Sequence, residues 1–176
     1  MQNITHKLNM GCGKDIKKGF VNIDSVKLPG VDKVVDLNKF PYPFESNSFD
    51  TILCYNVLEH LGDLTRVMKE CYRILKPKGT LLIKVPHFTY SGAFTDPTHK
   101  HFFSFNTFDY FVKGESDFNY YFDFNFSKIN KKISFGKKFA VWNWIIEPLA
   151  NIFPSIYENT PIRIFPAEEL QIVIIK

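Results

Sequence analysis

Short apolar runs, each closed by a turn-forming or acidic residue, divide the first half of the chain. Residues 8–10, 20–23, 34–35, 51–55 and 81–85 read as parallel strands, being compact apolar segments flanked by glycine, proline, aspartate or asparagine. Over residues 63–75 the spacing becomes helical. Leu64, Val67, Met68, Cys71 and Leu75 share one face, Asp63 stands at the start, and Lys76 and Pro77 close the segment. Residues 172–175, all β-branched, predict a buried last strand, with residues 127–135 as its neighbour. Alternating strands and helices predict a doubly wound α/β sheet.

The loop after the first strand carries candidate chemistry. Residues 7–13 read KLNMGCG, a strand running into a Gly-x-Gly turn. Gly11 and Gly13 can take positive φ and let the backbone approach a ligand closely. Asp24 ends the second strand and is placed to accept from a ribose diol; Asp36 follows the third and is placed to accept from an adenine amine. A dinucleotide is disfavoured, because position 16, where a third glycine belongs, holds Ile16. Only 11 residues separate Gly13 from Asp24, against about 20 in a dinucleotide fold, so the first crossover helix shrinks to a turn at residues 14–18. One sheet face is then thinly covered, leaving a neighbouring segment or a second subunit to shield it.

Further along come PYPF at 41–44, SNSFDTILCYNVLEHL at 46–61 and ECYRILKPKGTLLIKVPH at 70–87. In this order the motifs resemble the class I S-adenosylmethionine-dependent methyltransferases, in their small-molecule branch, from residue 7 to about residue 87. The resemblance implies a Rossmann-like, doubly wound, mostly parallel sheet of seven strands, the last antiparallel, with helices on both faces. It also implies S-adenosylmethionine as cofactor, lying across the carboxyl ends of the first four strands against Asn9, Met10, Gly11, Cys12, Gly13, Asp24, Asp36, Leu37 and Asn56. Asn9 departs from the pattern: the family usually has an acid there, and an amide brings no negative charge toward the donor's ammonium.

Composition narrows the class. At 176 residues the chain reads as one domain, with a cofactor half to about residue 87, a substrate lid over about 87–103 and an aromatic half from 104 to 176. Cys12, Cys54 and Cys71 are odd in number and lack a Cys-x-x-Cys pair, which argues against a disulfide framework or a zinc ribbon. The sequence MQNITHKLN offers no signal-peptide core and no later stretch reaches transmembrane length, so a cytoplasmic location is expected. A net charge of +4 suits an anionic acceptor but is too small to argue for nucleic acid. Oligomerisation stays open.

The second half carries specificity. Fifteen of the 19 phenylalanines and both tryptophans follow residue 87, so a large apolar surface is being covered there. The first reading is that Phe102, Phe103, Phe105, Phe108 and Phe111 pack a helix against the sheet; the alternative is an aromatic acceptor pocket. Residues 87–103, HFTYSGAFTDPTHKHFF, have no clear period and follow the fifth strand directly, which places a lid over the crevice. Lys128, Lys131, Lys132, Lys137 and Lys138 precede the Trp-rich run 139–153, a pairing suited to an anionic membrane surface. Against that, Glu147 and Pro148 interrupt the run, and a helix capping the sheet needs the same apolar face.

Methyl transfer from a sulfonium needs a base only when the acceptor is protonated. Glu59 and His60, past the fourth strand, and His87, past the fifth, are the candidates, with His60 first; the alternative role for Glu59 and His60 is to orient the loop or cap the next helix. Asp96, His99 and His101 form a second polar group, from which Asp96 or a histidine is expected to touch the acceptor. No metal site is assigned, since a His-x-His spacing without a second diagnostic ligand pair is common. The expected function is methyl transfer to a small-molecule or glycan-like acceptor, at a hydroxyl. The alternative is a catalytically degenerate nucleoside-binding protein, or a membrane-surface interaction protein, on the same fold.

Overall fold

The computed structural model describes residues 6–136 and 140–176. Seven strands form one sheet: β1 (Lys7–Met10), β2 (Val21–Asp24), β3 (Lys33–Val34), β4 (Phe49–Tyr55), β5 (Leu75–Pro86), β6 (Lys128–Ser134) and β7 (Glu169–Ile175). Their order is β3-β2-β1-β4-β5-β7-β6. The first five pair in parallel, and β7 runs antiparallel to both neighbours. The order therefore reverses beside β1, and the loops after β1 and β4 diverge at that switch point. Open α/β sheets bind ligands there.

The helix predicted over 63–75 is α1, Leu64–Ile74. Asp63 caps it by accepting from the Arg66 amide at 2.9 Å, which satisfies one of the orphan donors of the first turn. Val67, Met68, Cys71 and Ile74 are buried on its inner face. Met10 from β1 meets that face, its sulfur 3.9 Å from the thiols of both Cys54 and Cys71.

The alternation of strand and helix is thinner than the sequence reading. Among the parallel strands β1 to β5, the β4 to β5 crossover alone contains an α-helix; the connections β1 to β2, β2 to β3 and β3 to β4 are turns and irregular segments. The predicted loss of the first crossover helix is observed. A buried asparagine on β2 organises the replacement loop. Asn22 Oδ1 accepts from the Lys17 amide at 2.8 Å and from Asn9 Nδ2 at 3.0 Å. Its own Nδ2 donates to the carbonyls of Lys17 and Phe20. Asp32 closes the group, accepting from the Asn22 amide at 2.7 Å.

Beyond β5 the chain forms α2 (Gly92–Thr95), α3 (Ala140–Ile152) and α4 (Pro154–Asn159). The aromatic expectation holds in part. Phe103, Phe108 and Phe111 are buried, whereas Phe102 is exposed and stacks on Phe94. The element they form is a 3-10 turn at Thr107–Phe111 rather than a full helix. The last strand also differs from a fully buried run: its residues alternate, with Leu170, Ile172 and Ile174 inward and Val173 at the surface. As a strand in antiparallel pairing on both sides it shows one face to the core and the other outward.

The expected helix over the Trp-rich run is present and packs beside β6 through Ile146 and Ala150, but most of its apolar side chains face outward. Trp144 is 84% exposed and Ile164, past α4, is 79% exposed. Of the basic stretch, Lys131 and Lys132 are paired with Asp109 and Glu147. Lys137 and Lys138 lie outside the described residues. No described helix is long and apolar enough to cross a membrane.

Candidate active site

At the carboxyl ends of β1, β2 and β4 the chain encloses a cavity of about 260 Å³, lined by Gly11, Asp24, Ser25, Asp36, Leu37, Asn38, Asn56, Val57, His60 and Leu61. Backbone geometry shapes its floor. Gly11 has φ +63°, and a Cβ there would sit 2.3 Å from Val57 Cγ2, so both the conformation and the close approach require glycine. Asn56, at the end of β4, also adopts a left-handed conformation, with φ 50°. Asparagine tolerates this better than most residues.

Asp24 braces the glycine turn across the cavity: its Oδ2 accepts from the Gly13 amide at 2.8 Å and its Oδ1 from the Val26 amide at 3.0 Å. Asp36 accepts from the Asn38 amide at 3.0 Å, and Asn38 in turn accepts from the Gly62 amide at 2.8 Å. Each carboxylate oxygen can accept more than one hydrogen bond, so both acids keep capacity for a ligand.

His60 lines the same cavity and begins a second group of side chains. It ends a 3-10 turn, Leu58–His60, directly after β4. Its Nδ1 lies 2.8 Å from Thr98 Oγ1, which donates its only hydrogen to Asp96 Oδ1 at 2.6 Å. His60 must therefore carry its proton on Nδ1, leaving Nε2 with a free lone pair. His99 sits beside it, ring centroids 4.7 Å apart, and its Nδ1 donates to the Ala93 carbonyl at 2.8 Å. The Glu59 carbonyl accepts from the amides of Lys100 and His101, which folds residues 96–101 back onto the turn after β4.

Electrostatics differ among these groups. Burial pushes the Glu59 carboxyl up to about 6, opposed by its own backbone amide and by His99. Burial and the neighbouring His99 hold His60 below its ordinary value. Hydrogen bonds from the Thr98 hydroxyl and amide hold Asp96 below the usual carboxylate range.

Of the expected donor residues, Gly11, Asp24, Asp36, Leu37 and Asn56 line the cavity, and Gly13 is tied to Asp24. Asn9, Met10 and Cys12 stand behind it. The Asn9 amide nitrogen is spent on Asp15 and Asn22, the Met10 side chain is core, and Cys12 is buried, with burial pushing its thiol upward. Of the expected catalytic residues, Glu59, His60, His99 and Asp96 come together, while His87 does not join them. It is buried, with Nε2 2.9 Å from Glu158 and Nδ1 2.8 Å from Thr89, so it ties β5 to α4 instead of opening into the crevice. Alternation along β5 explains this: Val85 and His87 share the buried face. Ser25, Asn38, Val57 and Leu61 are cavity residues that sequence reading missed, since no motif marks them.

Comparison with known proteins bears on the fold that holds this site. Residues 6–83 match the family model described as a methyltransferase domain. The chain is 34% identical over 95 residues to the ubiquinone/menaquinone biosynthesis C-methyltransferase UbiE of Pseudoalteromonas translucida, covering 52% of this chain and 36% of that one. It is 31% identical over 68 residues to the glycine/sarcosine/dimethylglycine N-methyltransferase of Actinopolyspora halophila, covering 37% of this chain and 12% of that one. The chain thus spans well under half the length of these curated relatives. Among solved structures, a SAM dependent methyltransferase from Archaeoglobus fulgidus shares the fold, with a TM-score of 0.67 at 18% identity over 99% of this chain and 87% of that one.

Sheet order and the matched stretch together are those of the class I S-adenosylmethionine-dependent methyltransferases, to which the chain is similar. The matched stretch, residues 6–83, runs from β1 into β5. The cavity residues fit the class cofactor, S-adenosylmethionine: two carboxylates and two asparagines face one space floored by a glycine that admits no side chain.

Proposed function

We propose that the chain transfers a methyl group from S-adenosylmethionine to the hydroxyl of a small-molecule or glycan-like acceptor. The observation that carries this reading is that the donor acids Asp24 and Asp36 and the candidate base His60 border a single cavity. When bound, S-adenosylmethionine supplies a methyl group on a cationic sulfur, with a neutral thioether as leaving group.

The chain's own residues then have separable tasks. Asp24 accepts from the ribose hydroxyls and Asp36 from the adenine amine. Gly11 and Asn56 shape the floor against which the nucleoside rests. Holding the reactants in line can contribute about 7 to 11 kcal/mol toward the barrier. The acceptor proton passes to His60 Nε2, because Nδ1 is committed to Thr98 and, through it, to Asp96. Residues 88–102 form the lid, clasped at the base by the bridge between His87 and Phe103.

The test is production of S-adenosylhomocysteine from S-adenosylmethionine across a panel of hydroxylated acceptors. His60→Ala is expected to lower kcat by roughly 100- to 10,000-fold while donor affinity stays within twofold. Bound donor with no product from any acceptor would instead support the nucleoside-binding alternative, which the amide at Asn9 favours.

A further inference from the structure

We propose that Glu59, His60 and His99 form a binding site for a divalent transition-metal ion at the acceptor end of the cavity. One carboxylate oxygen of Glu59 and one ring nitrogen of each histidine all lie within 4.8 Å of one another. Two imidazoles and a carboxylate suit zinc, cobalt or ferrous iron, whereas magnesium and calcium favour all-oxygen sets.

Three observations carry the assignment. Glu59 is 1% exposed and its Oε2 has no hydrogen-bond partner among the described residues. A buried carboxylate oxygen left unpaired is costly, and a cation resolves that cost. Next, both histidines are fixed in the tautomer a metal requires. Nδ1 of His60 is held by Thr98 and Nδ1 of His99 by the Ala93 carbonyl, which leaves both Nε2 lone pairs available. Such outer hydrogen bonds are how metal-binding imidazoles are oriented. Finally, Lys100 and His101 donate backbone hydrogen bonds to the Glu59 carbonyl, so the segment bearing His99 is anchored to the turn bearing the other two ligands. Asp96 Oδ2 lies 4.0 Å from His99 Nε2 and adds negative charge at the rim.

Three protein ligands leave further coordination positions open, and His60 also lines the donor cavity. This deepens the methyl-transfer reading and rests on it. An acceptor hydroxyl oxygen bound to the ion loses its proton to solvent more readily. The resulting alkoxide forms the O–CH3 bond as the S–CH3 bond breaks and its electron pair returns to sulfur. With the ion in place, the His60 lone pair is committed to the metal, and coordination takes over the acidifying role.

The experiment uses the full chain stripped with chelator, then dialysed against Zn2+ alone for elemental counting and against Co2+ alone for visible spectroscopy. The expected result is one ion per chain and cobalt d–d bands without thiolate charge transfer. His99→Ala and Glu59→Gln should each weaken binding at least tenfold, and Thr98→Val, which removes the orienting bonds to His60 and Asp96 but no ligand atom, by about tenfold. Calorimetry with S-adenosylhomocysteine on the same samples separates the two proposals. Nucleoside binding without metal binding overturns the ion site alone, and metal binding without nucleoside binding overturns the methyl-transfer reading alone. A thiolate band from Cys12, or zinc affinity unchanged in His99→Ala, also overturns the site.

Discussion

The rim of β1 to β4 and the cover beyond β5 solve the same problem, holding irregular chain against a sheet, with opposite chemistry. At the rim, where crossover helices are missing, buried polar side chains fix the loops: Asn22 alone bonds Asn9, Lys17 and Phe20. Beyond β5, rings do the work, with Phe103 stacked on Phe108 at 5.4 Å and Phe111 on Phe124 at 6.0 Å. Hydrogen bonds are directional, so the rim holds Gly11, Asp24 and Asp36 at set positions around one cavity. Aromatic packing is less directional and tolerates irregular backbone, which suits a region whose outer face differs from its inner one.

The comparison can be broken by mutation. The largest expected stability loss is in the aromatic cover: Phe108→Ala should cost about 3 to 5 kcal/mol by urea denaturation, leaving donor affinity within threefold of wild type. In the rim, Asn22→Leu strands several buried polar groups and should cost about 3 kcal/mol; here donor affinity should fall with stability, because the Gly11 to Gly19 loop loses its support. If donor affinity instead tracks Phe108 and ignores Asn22, the division is wrong.

A smaller effect is expected where α1 meets the loop before β4. Arg73 donates to Glu70 and to the carbonyls of Phe44 and Tyr42, and Glu70 accepts from the Tyr42 amide at 2.6 Å. Arg73→Met should cost about 2 kcal/mol. Burial alone would raise the Glu70 carboxyl, but the bonds from Arg73 and Tyr42 outweigh it and hold it below its ordinary value of 4.5. A depressed carboxylate stabilises the fold above that value and loses its contribution as pH falls through the lower folded one. Stability of the wild type should therefore drop on acidification below about 4.5 more steeply than that of Arg73→Met. The smallest effect is on the outer face: Trp144→Ala should change stability by less than about 0.5 kcal/mol, since its side chain is 84% exposed.

The sequence made the strands and α1 legible because apolar runs and a helical period record burial directly. Asp24 and Asp36 were legible because strand ends place their next residues at one edge. The joining of His99 to Glu59 and His60 was not, since a helix, a strand and an aperiodic stretch separate them, and the backbone bonds to Glu59 and the His60–Thr98 contact that bring them together leave no mark in the pattern. Asn9 and Asn22 looked like ligand and strand residues; their shared network depends on register between β1 and β2, which pattern alone leaves open. The outward face of α3 was not legible for a related reason, because an apolar helix pattern states how much surface wants cover and not which surface supplies it.

Calorimetric titration of the wild type and Asp24→Ala with S-adenosylhomocysteine tests the rim most directly. One binding site in the wild type, weakened roughly 10- to 100-fold in the variant as expected for losing hydrogen bonds to a charged group, is the predicted result. Equal affinity in the two proteins, or no heat from the wild type, would contradict it.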